Sequence, residues 1–555
     1  MPIGVERFAT LCYNLPAPAP IAAPHALKAF RYLDPFKDKK TLASPTPLEI
    51  LNLVTTGTFN YQRCLSTLPK AEYVVPRQSL ADEATAELRK ARCLLIHSRL
   101  GNGKSIFVYI LAFKLAEEGY NCFLCAPDPA RVQEDLEILK TFRKVALFFD
   151  SYNTAIDVVP QLTELSSDTK FIVAVRTGVQ EVRLHEIMAK LPSPMRRISL
   201  NGLHEQDRED FKRLLDTSGV RTPTLEGTID QCTAMREVVV SLYDNPDIKA
   251  RIEGELAPLL NDQSFKAVFI VSQLLKWIGE DLGAGFLRTV TQRDAYAEIA
   301  RFREFAIDIF SLDNDELHVR SALFAEYLIQ THFTTIDILD CVFRIIVESA
   351  TRRTERRYQR VLSTLMRVSN LRQLLRKDAN RHYCLMDFFD RLHGAEEVNK
   401  EPLFWLQYSI LMVDGEDLIA AERFLDTAYA RAAASHGFQT YQIDTHALWL
   451  YLLIEERENT PTVQRFDRIM EKAELVLAMI GDESHRPHAI RVLQGIEPFA
   501  WARASVLSVA ERNALVVQCN RLIEQLDRLS SEVLADCDAR AVRGSLVRAR
   551  GRFAM

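Results

Sequence analysis

One octapeptide limits what this chain can fold into more than any other feature: Ser98-Arg99-Leu100-Gly101-Asn102-Gly103-Lys104-Ser105. Apolar Cys93–His97 precedes it as a strand, and Lys104–Glu118 follows as a helix. Apart from Ser98, which stands where the phosphate-loop template has its first glycine, the match is complete and its strand–loop–helix context is the required one. Gly101 and Gly103 let backbone amides turn inward as a nest for a β-phosphate at the positive end of the helix. Lys104 is placed for the β- and γ-phosphates and the Ser105 hydroxyl for Mg²⁺. The candidate cofactor residues are therefore Ser98, Gly101, Asn102, Gly103, Lys104 and Ser105, and the implied cofactors are ATP and Mg²⁺. A glycine turn that only caps a helix is the competing reading, and strand, Gly-Lys-Ser and helix together argue against it.

A second motif is expected on a later strand. Val145-Ala-Leu-Phe-Phe-Asp150 ends an apolar run in a carboxylate, which would sit beside the loop and hold a water on Mg²⁺. Ser105 and Asp150 are thus the candidate metal residues. A further strand, Lys170–Val175, runs into Arg176, a cation able to sense a γ-phosphate or stabilise charge on it. Asp150 and Arg176 are the candidate catalytic residues. No acidic residue directly follows Asp150, because Ser151-Tyr152-Asn153 occupy those places and Asp157 is the nearest acidic residue downstream. Hydrolysis is therefore expected to be weak or to use a residue from elsewhere. One strand and two helices separate the loop from the aspartate strand, an order that fits the additional-strand class of P-loop ATPases.

The remaining pattern divides the 555 residues into four regions. Residues 1–75 read as an arm or docking segment. Pro16–Pro24 favours polyproline geometry, and Leu48–Leu53 is a helix candidate. Residues 76–215 alternate apolar strands (adding Asn121–Ala126 and Arg197–Leu200) with helices (Ala130–Phe142, Thr154–Leu165), the pattern of a parallel sheet covered on both faces. Residues 216–334 read as a helical lid and a region with a strand-like piece at Glu316–Val319. Residues 335–555 read as helices throughout, with breaks at Asp414-Gly415, Gly437 and Asn459-Thr-Pro461 that suggest stacked antiparallel pairs. The fold class is an α/β P-loop NTPase domain followed by largely α-helical domains.

Composition excludes several classes. Apolar residues are 48% and charged residues 26%, so the chain is not globally disordered. A net charge of −5 gives no overall basic field for a dedicated nucleic-acid binder. No apolar run is long enough to span a membrane. Met1–Ala9 lacks a basic n-region, since Glu6 offsets Arg7. Ten cysteines are too few for a disulfide scaffold. The close pair Cys122 and Cys125 lies in an apolar run and reads as buried thiols rather than a zinc site. A reducing, cytoplasmic location is expected.

On the loop Ser98–Ser105, the strands ending at Asp150 and Arg176, and the strand–helix Arg196–Leu215, the chain resembles the STAND ATPases, most closely bacterial members found in antiviral defence. Leu317–Tyr327 resembles that family's winged-helix element, and the array from 335 its TPR-like helical-repeat sensor. The resemblance implies an ATP-dependent switch: ligand, from a phage or another trigger, meets the repeats, the monomer opens, and an oligomer controls an effector. No nuclease, NAD-cleaving or protease motif is visible in residues 1–75, which implies a separate effector protein docked through that segment. Two alternatives stand beside this reading. One is a transcription regulator using a winged helix on DNA, against which the charge balance weighs. The other is a nucleotide-stabilised scaffold without turnover, for which the missing carboxylate speaks.

Other clusters have plainer readings. Thr351–Lys377 carries eight arginines; nucleic acid or an acidic surface is one partner, acids on neighbouring helices the favoured one. The arginines from Arg540 to Arg552 read as a frayed tail. Phe404, Trp405 and Tyr408 read as packing between helices, and His382, His446 and His485 as core or surface residues.

Overall fold

The computed structural model describes residues 27–33, 42–126, 132–162, 164–177, 187–220, 223–280, 283–302, 309–313, 316–457, 463–481, 486–529 and 539–554. Pro16–Pro24 and His485 lie outside them. The chain forms two compact units that part after Asn245.

The first unit is built on a six-stranded sheet. Its strands are β1 (Phe30–Leu33), β2 (Cys93–Ser98), β3 (Asn121–Cys125), β4 (Val145–Phe149), β5 (Lys170–Arg176) and β6 (Met195–Ser199), in the order β1-β3-β4-β5-β2-β6. Strands β2 to β6 pair in parallel; β1 joins antiparallel, with Phe30 opposite Cys125 and Leu33 opposite Cys122. The helices are α1 (Pro47–Thr55), α2 (Tyr61–Thr67), α3 (Gln78–Lys90), α4 (Lys104–Glu117), α5 (Val132–Leu139), α6 (Tyr152–Val158), α7 (Glu205–Ser218), α8 (Pro223–Gln231) and α9 (Met235–Tyr243).

The continuous apolar strands have the reason anticipated for them. Leu94, Ile96, Phe148 and Ile172 face one core with Leu88 of α3 and Phe107 and Leu111 of α4. Their strand neighbours Leu95, Leu147, Phe149, Phe171 and Val173 face a second core with Leu136 of α5 and Ile156 of α6. Both faces are buried, so neither set of alternating side chains is polar. Cys122 and Cys125 are buried in these two cores, and burial pushes the Cys125 thiol up to about 12. Among the described residues no cluster of His, Cys, Asp or Glu could hold a metal, and no helix is long and apolar enough to cross a membrane.

Segments 27–33 and 42–75 are built into this unit. Buried Asp135 of α5 accepts the backbone N–H groups of Lys28 (2.9 Å), Ala29 (2.7 Å) and Phe30 (3.0 Å), which fixes the start of the edge strand. Helix α1 begins with Pro47 after Thr46, whose hydroxyl and backbone exchange hydrogen bonds with Glu49, a capping box. Buried Tyr243 of α9 donates to the Thr55 carbonyl at 2.6 Å.

Among its described residues the second unit is helical apart from two antiparallel strands, Phe310–Asp313 and Glu316–Val319, which precede helix Ala322–His332. Helix Gln263–Ile278 is capped by Asp262, stopped by left-handed Gly279, and buries Phe265 and Phe269 against Phe310. Phe404, Trp405 and Tyr408 are buried as expected: Tyr408 stacks on Phe424 at 4.1 Å, and Phe404 on Phe389 at 5.7 Å. His446 is half-buried beside Ser409 at 3.0 Å, and desolvation pushes its pKa down to about 4. The arginine-rich stretch is taken up by acids: Arg352 by Glu348, Arg353 by Glu401, Arg360 by Glu280 and Arg372 by Asp414.

One expectation fails here. The C-terminal stretch is no frayed tail but a docked helix, Ala539–Ala554. Val542, Leu546, Ala549 and Phe553 are buried, while Arg543 pairs with Asp527 and Arg548 with Glu497. The arginines drew the reading toward solvent, yet the apolar residues between them recur at helical spacing and decide the packing.

Candidate functional site

Parallel strands bring their C-terminal ends to one edge, and the singled-out residues meet there. Ser98 is the last residue of β2 and lies opposite Arg176, the last of β5, in the strand register. Asp150 follows β4, the next strand over, whose Phe149 lies opposite Val173. The loop between β2 and α4 turns through Gly101 at φ +88° and Gly103 at φ +75°. At these values an L side chain is strained, which is why glycine stands at both positions. Gly103 ends in a left-handed turn, so Lys104 and Ser105 open α4 at its positive end.

Side-chain contacts tie these residues together. The Ser105 hydroxyl donates to Asp150 Oδ2 at 2.7 Å. Lys104 Nζ donates to Ser98 Oγ at 3.3 Å, and that hydroxyl in turn donates to the Arg99 carbonyl at 2.9 Å. Ser98 is fully buried. The residue that departs from the phosphate-loop template thus supplies an acceptor against which the lysine rests. Burial holds the Lys104 ammonium down at about 8; the nearby Arg176 cation lowers it further and Asp150 opposes both. A cation kept partly destabilised in this way gains more than an exposed lysine when an anion arrives beside it. No carboxylate directly follows Asp150: Ser151, Tyr152 and Asn153 occupy the next three places, and the nearest acidic residue downstream is Asp157, in the helix that begins there.

Three residues that the sequence did not flag complete the surroundings. Asn201, just beyond β6, accepts the backbone N–H of Arg99 at 2.7 Å and the side-chain N–H of Asn102 at 3.1 Å. Its own amide nitrogen donates to Thr177 Oγ1 at 3.1 Å, next to Arg176. Arg77, left-handed at φ +48° and buried, donates to the carbonyls of Leu200 (3.0 Å) and Gly202 on either side of Asn201, and faces Asp207 at 3.4 Å. Arg236, in the first turn of α9, donates its backbone N–H to Asn102 Oδ1 at 2.8 Å and its guanidinium to the Leu100 carbonyl at 3.2 Å. Each lies more than 20 residues from the loop in the chain. The local signals available, an Asn-Gly pair after a strand and an arginine after a proline, read only as turns.

No protein-family model matches the chain, and no curated protein matches it. Among solved structures, it is similar to the Thermotoga maritima RuvB Holliday junction branch migration motor, at 12% identity and a TM-score of 0.22. That similarity covers 44% of this chain and 90% of the other. Likeness at that level carries no argument about function, which therefore rests on the geometry at the sheet edge.

Proposed function

We propose that the first unit is a P-loop ATPase domain that binds ATP with Mg²⁺ at the C-terminal edge of its sheet. The observation that carries the reading is the joining of three features at one edge: a glycine loop opening a helix, a partly buried lysine at that helix start, and a Ser105–Asp150 pair. Strand β5 between β2 and β4 supports it, since it brings Arg176 to the same edge. Lys104 would hold β- and γ-phosphates, and the loop amides the β-phosphate. The hydroxyl of Ser105 and carboxylate of Asp150 are hard oxygen ligands already in contact, the donor chemistry Mg²⁺ takes. The ion, when bound, neutralises phosphate charge. Arg176 would meet the γ-phosphate.

We further read the chain as a STAND-type switch of bacterial antiviral defence. On this reading residues 216–334 are a lid and winged-helix-like region, residues 335–555 a repeat sensor for a phage or other trigger, and a separate effector protein docks through residues 1–75. Support comes from the sequence resemblance and from the helical character of the second unit. A scaffold that binds nucleotide without turnover is the second reading, favoured by the absent carboxylate after Asp150.

Titration with a fluorescent ATP analogue tests the primary reading. In Asp150→Asn, affinity measured with Mg²⁺ and with EDTA should converge, whereas the wild-type ratio is expected to be roughly tenfold or more, the weight of one charged contact. A wild type indifferent to EDTA would sink the metal assignment. Turnover assayed with and without co-purifying proteins separates switch from scaffold.

Lys104 also gives binding a pH dependence. Its ligand-free pKa of about 8 lies below the roughly 10.4 of an unfolded lysine. Between those values the unfolded chain binds more protons, so this group makes the ligand-free fold more stable as pH rises through that window. Phosphates favour the charged form. Binding should therefore take up a proton above pH 8, and affinity should fall roughly tenfold from pH 7 to pH 9. Calorimetry in two buffers of different ionisation enthalpy reads the uptake directly; identical heats in both would contradict it.

A further inference from the structure

Asn102 is 1% exposed although it sits in the middle of a glycine-bearing loop. Its orientation is fixed by a partner without choice. The Arg236 backbone N–H can only donate, so the atom facing it at 2.8 Å is the side-chain carbonyl oxygen. The amide nitrogen of Asn102 then faces Asn201 Oδ1 at 3.1 Å. The same logic fixes Asn201: the Arg99 N–H must meet its oxygen, which leaves its nitrogen to donate to Thr177 at 3.1 Å. One continuous line of hydrogen bonds therefore runs from the end of β5, through Asn201 and Asn102, to the first turn of α9. Arg77 anchors the middle of this line by holding the carbonyls on both sides of Asn201.

At the α9 end the division of labour is clear. Glu237 takes the N–H groups of Thr233 (2.6 Å) and Ala234 (3.2 Å), a local cap. The Arg236 N–H goes instead to the phosphate loop, and its guanidinium returns to Leu100 of the same loop. A helix whose first-turn N–H is satisfied by another segment's side chain is docked more firmly while that side chain keeps its place. A loop with two left-handed glycines, in turn, is ordered only as far as its side-chain contacts order it.

We propose that Asn102 and Asn201 are positioning residues that couple the phosphate loop and the end of β5 to helix α9, so that nucleotide binding and α9 docking strengthen each other. This rests on the nucleotide-binding reading above. With the loop pinned from both sides, less ordering is left for the phosphates to impose. The coupling is reciprocal: whatever the docked helix contributes to affinity, the nucleotide returns to the helix. Asn201 also ties the loop to Thr177, so the strand end that carries Arg176 moves with it.

The test is hydrogen–deuterium exchange of peptides covering Met235–Tyr243, with and without Mg²⁺ and ATP, alongside ATP affinity. Wild type, Asn102→Ala and Asn201→Ala are compared, with thermal midpoints recorded. In wild type ATP should slow exchange across α9. Each variant should bind ATP about tenfold more weakly and should lose the ATP-dependent slowing even at saturation, which a residue that merely supports the fold would not do. Thr177→Val removes only the far acceptor and should weaken binding by a smaller factor; it carries the comparison if an asparagine variant fails to fold. Wild type that binds ATP without any change in α9 exchange overturns the proposal alone, as do variants that keep both affinity and slowing. Wild type that binds no nucleotide overturns the proposal together with the functional reading, and the two failures are thereby told apart.

Discussion

Lys104→Ala is expected to abolish measurable ATP binding while leaving the ligand-free protein at least as stable as wild type. The two effects have one cause. Lys104 is partly buried and desolvation holds its pKa at about 8, so carrying its charge costs free energy in the absence of an anion. Among the described residues its one side-chain hydrogen bond is a long one, 3.3 Å to the Ser98 hydroxyl. Removing the side chain relieves that burial. In the nucleotide complex the same ammonium would make charge-assisted contacts to two phosphates, each worth about 1.5–3 kcal/mol. Their joint loss is about 3 kcal/mol or more, a factor of at least roughly 100 in the dissociation constant. Equilibrium binding of a fluorescent ATP analogue, with a thermal melt of the apo protein, checks both halves. Affinity within a few-fold of wild type would refute the proposed role of the loop, and with it nucleotide-dependent assembly.

The second large effect concerns the edge of the sheet. Asp135→Ala should destabilise the first unit by about 3 kcal/mol or more, because three backbone N–H groups lose their shared acceptor and two of them are fully buried. For a unit of this size that is a fall in melting temperature of roughly 6–12 °C. Asp135→Asn keeps one acceptor oxygen and should lose less. The loss should begin locally, since β1 then has little to hold its N-terminal end against β3, and an exposed β3 edge is a template for association. Limited proteolysis near residues 27–33 would register the release before global unfolding. An unchanged melt and unchanged cleavage in Asp135→Ala would show that the β1–β3 ladder holds the segment unaided.

Much of the sheet is legible in the sequence. The apolar strands at 93, 121, 145 and 170 begin within a residue of where their hydrophobicity places them, because strands buried on both faces leave no room for polar residues. The phosphate-loop residues were legible for a different reason: glycines at positive φ and a lysine at a helix start have few alternative uses. Strand β1 was not legible. Phe30–Leu33 is only four residues long, follows a proline-rich run, and owes its place to Asp135, more than 100 positions away. The C-terminal helix is masked in the sequence by its arginines, although Val542, Leu546, Ala549 and Phe553 recur at helical spacing. Asn201, Arg77 and Arg236 left no trace, since a single polar residue after a strand or before a helix is compatible with any turn.

The roles proposed for the sheet edge, which residues would cradle an anion, ligate a hard cation or answer negative charge, are legible from local sequence. Those roles follow from local backbone freedom and side-chain type, which are properties of a few adjacent residues. How that edge is held emerges from the folded chain. The Ser105–Asp150 contact, the opposition of Ser98 and Arg176, and the line from Thr177 through Asn201 and Asn102 to α9 all join segments distant in the chain. Hydrogen bonds between such segments depend on strand order and register, and no local pattern of residues encodes either.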